Sequence, residues 1–290
     1  MSVLMQDRPH PIVAVTLLFN PNESEVYNNI LSYIDTVDKL YIIDNSPNVS
    51  NLTKRLKELD NVSILHTGSN IGVAKALNTA LNKAHTEGFK WLLTMDQDTS
   101  FGFSGFRRFI NDIAFEPHRF GAIFSPLHNP KLMSGNCNEL FCEKEYVMSS
   151  ANLVNIDYAL DIGGYDENLF IDEVDHDFCF RLRAKGYSIY QHTQLSVEHT
   201  LGSRKTILPI KLPKYSADRL YYMTRNFLYL QQKHSQKHKE FFRSRKWYLL
   251  KFMLYQLITG DSSLLKSRMI YEGISDYRCG KMGPKCNILC

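Results

Sequence analysis

Apolar residues in the first hundred positions fall into short runs separated by polar stretches of helical period. Ile12–Phe19 (IVAVTLLF) is apolar almost without break and is bounded by Pro11 and by Asn20-Pro21. Strands of that kind are covered on both faces, as in a parallel sheet. Leu40–Ile43, Val62–Leu65 and Trp91–Met95 are three further short runs. Helical patterns lie between them at Glu23–Ile34, Asn51–Leu59 and Val73–Ala84, the last with Ala74, Leu77, Leu81 and Ala84 on one face. This rhythm of repeated βα units predicts an α/β protein with an open, mostly parallel, Rossmann-like sheet and helices on both faces. A helix is also expected from Val174, stopped at Gly186, with a strand over Tyr187–Val197 after it.

In such sheets ligands bind beyond the carboxyl ends of the strands, so the residues that follow each run carry the candidate chemistry. They are Asn20-Pro21, Asp44-Asn45-Ser46, Asn70-Ile71-Gly72 and Asp96-Gln97-Asp98. Turn formation alone accounts for most of these residue types. Asp96 and Asp98 are harder to explain as a turn, because two carboxylates at i and i+2 repel unless a cation or water stands between them. Mg²⁺ and Mn²⁺ take one or two protein carboxylates and complete their shell with water and substrate phosphate. A second acidic stretch, Gly163–Asp177, packs six carboxylates into fifteen residues. Helix capping explains some of them. It leaves Asp172, Asp175 and Asp177 as candidates for proton acceptance.

Charge adds an asymmetry to this picture. The 290-residue chain has a net charge of +4, yet residues 1–202 carry −9 and residues 203–251 carry +11. The basic stretch is rich in Tyr, Phe and Trp, which suggests contact with an anionic membrane or a polyanion. Nucleic acid is not expected, since no finger, RNP or helix-turn-helix spacing accompanies the charge. The longest mostly apolar run, Trp247–Ile258, is interrupted by Lys251 and Gln256. It is too short for a span, which needs about 20 apolar residues. With no apolar stretch of signal-peptide length in Met1–His10, a cytoplasmic protein is expected. The six cysteines do not form a secreted framework, and Cys279, Cys286 and Cys290 lack a fourth ligand at zinc-finger spacing.

Four motifs taken together resemble a known family. Asp44-Asn45-Ser46, Asn70-Ile71-Gly72-Val73-Ala74-Lys75-Ala76-Leu77-Asn78, Asp96-Gln97-Asp98 and Gly164-Tyr165-Asp166-Glu167…Phe170-Ile171-Asp172…Val174-Asp175…Arg181 are similar, in order and spacing, to the family 2 inverting glycosyltransferases of the GT-A fold. Their bacterial rhamnosyltransferase branch is the nearest likeness, and the resemblance covers roughly residues 11–232. It implies a GT-A catalytic domain over 1–205 and a helical, basic and aromatic extension over 206–290. Thr16 and Asn20 would line a nucleobase pocket, and Asp44 would hydrogen-bond the base. Asn70, Gly72 and Lys75 would lie near the nucleotide. Asp96 would meet ribose or metal, and Asp98 and His199 would ligate Mg²⁺ or Mn²⁺, with Arg204 and Lys205 near the diphosphate. Asp175 matches the general base, although the commoner pattern there is Glu-Asp and this chain has Val174-Asp175. That departure leaves Asp172 as an alternative base.

The implied reaction is metal-dependent transfer of a sugar, L-rhamnose from dTDP-L-rhamnose or a hexose from a UDP-sugar. The acceptor would be a hydroxyl of a lipid-linked or growing cell-surface polysaccharide such as O-antigen. The helix around Asp218–Phe227 would close the acceptor side. Arg243, Arg245 and Lys246, followed by Trp247, Leu250, Phe252, Leu254 and Ile258, would hold the enzyme peripherally at the inner face of the cytoplasmic membrane. Packing of those apolar residues on the catalytic domain or a second subunit is the alternative. Two rival readings carry less. An Asp-x-Asp phosphohydrolase wants Thr or Val where Ser100 stands, and a non-catalytic carbohydrate-binding protein needs no paired carboxylates.

Overall fold

The computed structural model describes residues 11–102, 104–115, 121–128, 139–199, 214–259 and 262–285. The chain divides into two compact units. Residues 1–166 and 178–200 form the first, and residues 167–177 and 201–290 the second. The acidic segment 167–177, which the sequence reading assigns to the catalytic domain, is therefore grouped with the C-terminal helices.

In the first unit, β1 (Ile12–Leu18), β2 (Lys39–Asp44), β3 (Val62–His66) and β4 (Trp91–Asp96) alternate with α1 (Glu23–Leu31), α2 (Asn51–Leu56) and α3 (Val73–Thr86). These four strands are parallel, in the spatial order β3-β2-β1-β4. The sheet continues through β8 (Asn152–Asn155), β6 (Gly121–Leu127), β9 (Ser188–His199) and β5 (Thr99–Phe101), with β7 (Phe141–Glu143) paired to β9. β8 runs antiparallel to both β4 and β6, so the sheet is mixed beyond its parallel half. The near-unbroken apolar run of β1 has its reason here, since six of its seven residues are buried in the middle of the parallel half. Phe101, Phe106 and Phe109, from β5 and α4 (Gly105–Phe115), meet Phe124 and Phe141 in an aromatic core. α5 (Ile156–Asp161) is capped by Asn155, whose Oδ1 accepts from the amides of Asp157 and Tyr158.

α6 (Val174–Ala184) has its first turn in the second unit and the rest in the first. The second unit is otherwise helical, with α7 (Ala217–His234), α8 (Lys239–Thr259) and α9 (Ser263–Arg278). Ser216 caps α7 through the amide of Arg219. Phe170, Tyr221, Tyr222 and Met269 form its apolar centre. Gly273 of α9 lies so close to α7 that a Cβ there would stand 2.7 Å from the Tyr221 carbonyl oxygen. Cys179 and Cys279 are free thiols, whereas Cys142 is disulfide-bonded.

Candidate active site

The register of the parallel strands puts the loops after β1, β2, β3 and β4 along one edge. Leu18 pairs with Asp44, Asp44 with His66, and Leu17 with Asp96. Asp44 is fully buried. Its Oδ1 accepts from the Ser46 amide at 3.0 Å, its Oδ2 from the Thr53 hydroxyl at 3.0 Å, and its carbonyl from the Thr67 amide and hydroxyl. Ser46 in turn accepts from the Asn20 amide at 2.8 Å, which ties the loop after β1 to the loop after β2. Asn20 is exposed and takes a left-handed backbone at φ 46°. Thr16, by contrast, is buried within β1 and shares a 2.6 Å hydrogen bond with the Tyr33 hydroxyl.

The loop before α3 is shaped by Asn70, whose Oδ1 accepts the Gly72 amide at 2.9 Å. Gly72 enters the helix at φ 85°, a conformation open to glycine and strained for other residues. Lys75 is exposed in the first turn of α3, where no acidic residue offsets the positive end of the helix dipole. The far end of the same motif does different work. Asn78 Nδ2 donates to the Tyr165 carbonyl at 2.9 Å, and the Tyr165 amide donates to Asn78 Oδ1 at 2.7 Å. One amide side chain thus joins the second and fourth sequence motifs.

Asp96 ends β4 half-buried, its amide donating to Ser150 Oγ at 3.0 Å while Ser150 Oγ donates to Thr99 Oγ1 at 2.8 Å. Between the two carboxylates, Gln97 clamps the backbone of Phe19 in both directions, at 2.9 and 3.3 Å. Asp98 is half-buried, and the next residue, Thr99, pairs with His199 across the β5–β9 ladder. The backbone therefore brings Asp98 and His199 to neighbouring positions although 101 residues separate them in sequence. Arg204 and Lys205 lie outside the described residues. Two carboxylates and an imidazole on adjacent backbone segments are a donor set that fits Mg²⁺ or Mn²⁺. Among the described side chains no three such donors are already gathered.

In the second unit the acidic segment is held by cations of α7 and α8. Arg219 meets Asp172 Oδ1 at 2.9 Å, Lys233 and His234 both meet Asp177 Oδ1 at 2.8 Å, and Arg245 meets Glu173 Oε1 at 2.8 Å. Phe170, Asp172 and Glu173 all have left-handed backbones, at φ 55°, 61° and 63°. Asn226, fully buried, holds this strained turn by donating to the carbonyls of Leu169, Ile171 and Asp172. Burial raises the Asp172 carboxyl above the ordinary carboxylate range, against the pull of Arg219. Asp175 is partly exposed in the first turn of α6 and its Oδ1 accepts the His176 amide at 2.9 Å.

Residues 15–136 match the family model of glycosyl transferase family 2. The dTDP-rhamnosyl transferase RfbF of Shigella flexneri is 26% identical over 245 residues, 77% of this chain and 81% of the relative. The chain is a glycosyltransferase, with its likeness to family 2 in residues 15–136. Among solved structures, GalNAc-T7 with UDP, GalNAc and Mn²⁺ superposes with a TM-score of 0.61 at 14% identity. That likeness covers 93% of this glycosyltransferase and 55% of GalNAc-T7. TarS of S. aureus in complex with UDP-GlcNAc gives 0.53 at 12% identity, over 91% and 71% of the two chains. The glycosyltransferase fold is accordingly GT-A, and the phosphohydrolase and non-catalytic readings fall away. Gln97, Asn78, Asn226, Arg219 and Arg245 were not singled out as site residues by sequence. A polar residue inside a motif, such as Gln97 or Asn78, is the one signal that pointed to any of them.

Proposed function

We propose that this glycosyltransferase moves L-rhamnose from dTDP-L-rhamnose, with inversion, onto a hydroxyl of a lipid-linked or growing polysaccharide acceptor. The similarity to RfbF across most of both chains carries the choice of sugar. The shared sheet edge after β1–β4 supports the donor site. Asp44, Asn20, Asn70, Gly72 and Lys75 would hold the nucleotide along that edge, with Thr16 beneath it and Arg204 toward the diphosphate. Asp98 and His199, with Asp96, would hold the divalent ion. When bound, that ion supplies charge stabilisation to the departing nucleoside diphosphate.

Asp175 takes the proton of the acceptor hydroxyl. It is preferred to Asp172 because Asp172 is committed to the Arg219 guanidinium. The acceptor oxygen then attacks the anomeric carbon opposite the leaving group, so a single displacement inverts that centre. The experiment is a donor panel of dTDP-L-rhamnose and UDP-hexoses with Mn²⁺ or Mg²⁺, read by nucleoside diphosphate release. Release from dTDP-L-rhamnose above the UDP-sugars supports the reading. Preference for a UDP-hexose would move the donor assignment, and activity that survives chelation would remove the metal.

The membrane side of the reading rests on α8. Trp247, Leu250, Leu254 and Ile258 are exposed and recur at i, i+3, i+7 and i+11, a single stripe along the helix. Arg243, Lys246 and Lys251 are exposed beside them. Arg245 and Phe252, expected on that same surface, instead turn inward. Among the described residues no helix is long and apolar enough to cross a membrane, so the proposed contact is interfacial at an anionic surface. Co-sedimentation with anionic vesicles at low salt, lost at high salt, is the expected result. A concentration-dependent dimer with no vesicle binding would assign the stripe to a second copy of the chain.

A further inference from the structure

From the geometry of the second unit we infer that Arg245, Glu173 and His176 are positioning residues for Asp175, linking helix α8 to the carboxylate that accepts the proton. The inference rests on the reading of Asp175 given above, and deepens it.

The chain of contacts is continuous. Arg245 grips Glu173 Oε1 through Nη2 at 2.8 Å and Nε at 3.2 Å. Glu173 Oε2 lies 2.8 Å from His176 Nδ1, and the same nitrogen stands 3.4 Å from Asp175 Oδ1. The His176 amide donates to that oxygen as well. Each link is held from outside. Glu173 is 2% exposed and fixed in a left-handed backbone. The His176 ring packs on Phe241 with centroids 4.9 Å apart, and the Arg245 guanidinium lies 5.6 Å from the Tyr248 ring centroid. A carboxylate this buried is costly unless it is paired, and here it is paired twice.

Its charge state follows. Burial alone would raise the Glu173 carboxyl, but His176 and Arg245 outweigh it and hold the pKa at about 2. Burial would likewise lower the His176 imidazole, and the carboxylates of Asp175 and Glu173 push it up instead, with Arg245 opposing. Asp172 and its partner Arg219 also stand near this acidic turn. His176 Nδ1 thus stands within ion-pair distance of two carboxylates. A ring held beside the Asp175 carboxylate, with its own amide donating to the same oxygen, fixes where that carboxylate stands.

The test has a structural and a kinetic arm, both on the full chain. In the first, the imidazole resonances are titrated by NMR, with His176 assigned by its loss in His176→Gln. His176 should titrate above 6.5, and its midpoint should fall in Glu173→Gln. In the second, dTDP release from dTDP-L-rhamnose is followed against donor concentration. His176→Gln and Glu173→Gln should each lower kcat by up to about 10²-fold with donor KM unchanged. Arg245→Met should show the same split between kcat and KM, while Arg245→Lys, which keeps the charge, should recover most of the lost kcat. A His176 midpoint at or below 6.5 overturns the inference. So does a fall in kcat that Arg245→Lys does not spare, or that comes with an equal rise in donor KM, since a merely structural role would behave that way. If His176 titrates as expected but the wild type releases no dTDP from any nucleotide sugar, the failure belongs to the reading of function and not to the chain of ion pairs.

Discussion

Gly163 and Gly164 form a natural pair for testing how the motifs are joined. Both are left-handed, at φ 80° and 71°, so an alanine at either place costs about 1–2 kcal/mol in backbone strain. Their surroundings differ. A Cβ at Gly163 meets nothing within 4 Å, whereas one at Gly164 would stand 2.5 Å from Asn78 Oδ1. Asn78 would have to swing away and give up both hydrogen bonds to the Tyr165 backbone. Tyr165 is buried, so each group left without a partner costs about 1–3 kcal/mol. Gly163→Ala should therefore cost about 1–2 kcal/mol and Gly164→Ala about 3–8 kcal/mol. In an Asn78→Ala background the clash is gone, and adding Gly164→Ala should cost only the backbone share of about 1–2 kcal/mol.

Urea unfolding followed by Trp91 fluorescence reads this out in the first unit. The chain has two tryptophans, so a Trp247→Phe background leaves Trp91 as sole reporter. Equal midpoints for Gly163→Ala and Gly164→Ala would refute the close approach, and additivity of Gly164→Ala with Asn78→Ala would refute the coupling.

Further outcomes follow from other sites. Asp98→Ala should abolish transfer while leaving the far-ultraviolet circular dichroism unchanged, and turnover equal to wild type would remove Asp98 from the metal site. Asp175→Asn should preserve donor affinity and lose about 10²–10⁴-fold in kcat; the same pattern in Asp172→Asn instead would transfer the role. His192 is fully buried, donates from Nε2 to Asp112 Oδ2 at 2.9 Å and accepts the amides of Gln194 and Leu195 at Nδ1, so it is held neutral. Burial lowers its pKa below 6.5. The unfolded chain then takes up the proton first, and stability should fall as pH drops below about 6.5, by at most about 1.4 kcal/mol per pH unit. His192→Gln should lose that part of the slope in urea titrations at pH 5 to 7. Asn226→Ala, which releases three carbonyls of the turn at 169–172, should cost about 2–4 kcal/mol, measured by chemical denaturation of the second unit.

Much of the parallel half was legible because a strand buried on both faces writes itself as an unbroken apolar run. Ile12–Phe19 and Leu40–Ile43 differ from the observed strands by one or two residues at their ends. β5 and β7 were not named, as three-residue strands such as Thr99–Phe101 carry no period that could be read, and neither were the four-residue β8 and β6, whose apolar run is interrupted by Ser125 and Pro126. Gly72 was legible as a loop residue after the third strand, and its backbone is left-handed at φ 85°. The partners of Asp172, Glu173 and Asp177 were not. They arrive from α7 and α8, 47 to 72 residues later, and ion pairing leaves no local pattern in sequence.

The basic stretch shows how far a charge count can carry. Residues 203–251 hold a net +11, and taken alone that excess points to an anionic partner. Arg219, Lys233 and Arg245 are nevertheless paired with Asp172, Asp177 and Glu173, two of which have side chains no more than 2% exposed. Desolvated carboxylates need such partners, and surface cations can reach them only by leaving the surface. What remains for an outside partner on α8 is Arg243, Lys246 and Lys251 beside the exposed apolar stripe. α8 has apolar residues on two opposite sides, with Phe242, Leu249 and Phe252 buried and Trp247, Leu250, Leu254 and Ile258 outside. A helix of this kind shows little amphipathic asymmetry in sequence, although each side has its own role. Replacing Leu250 and Leu254 by Lys should thus leave the folded unit intact, because neither packs inward, while Phe252→Lys should unfold it. Equal loss of thermal stability in the two variants would show that the outer stripe is part of the core, and would remove the basis for assigning it to a membrane surface.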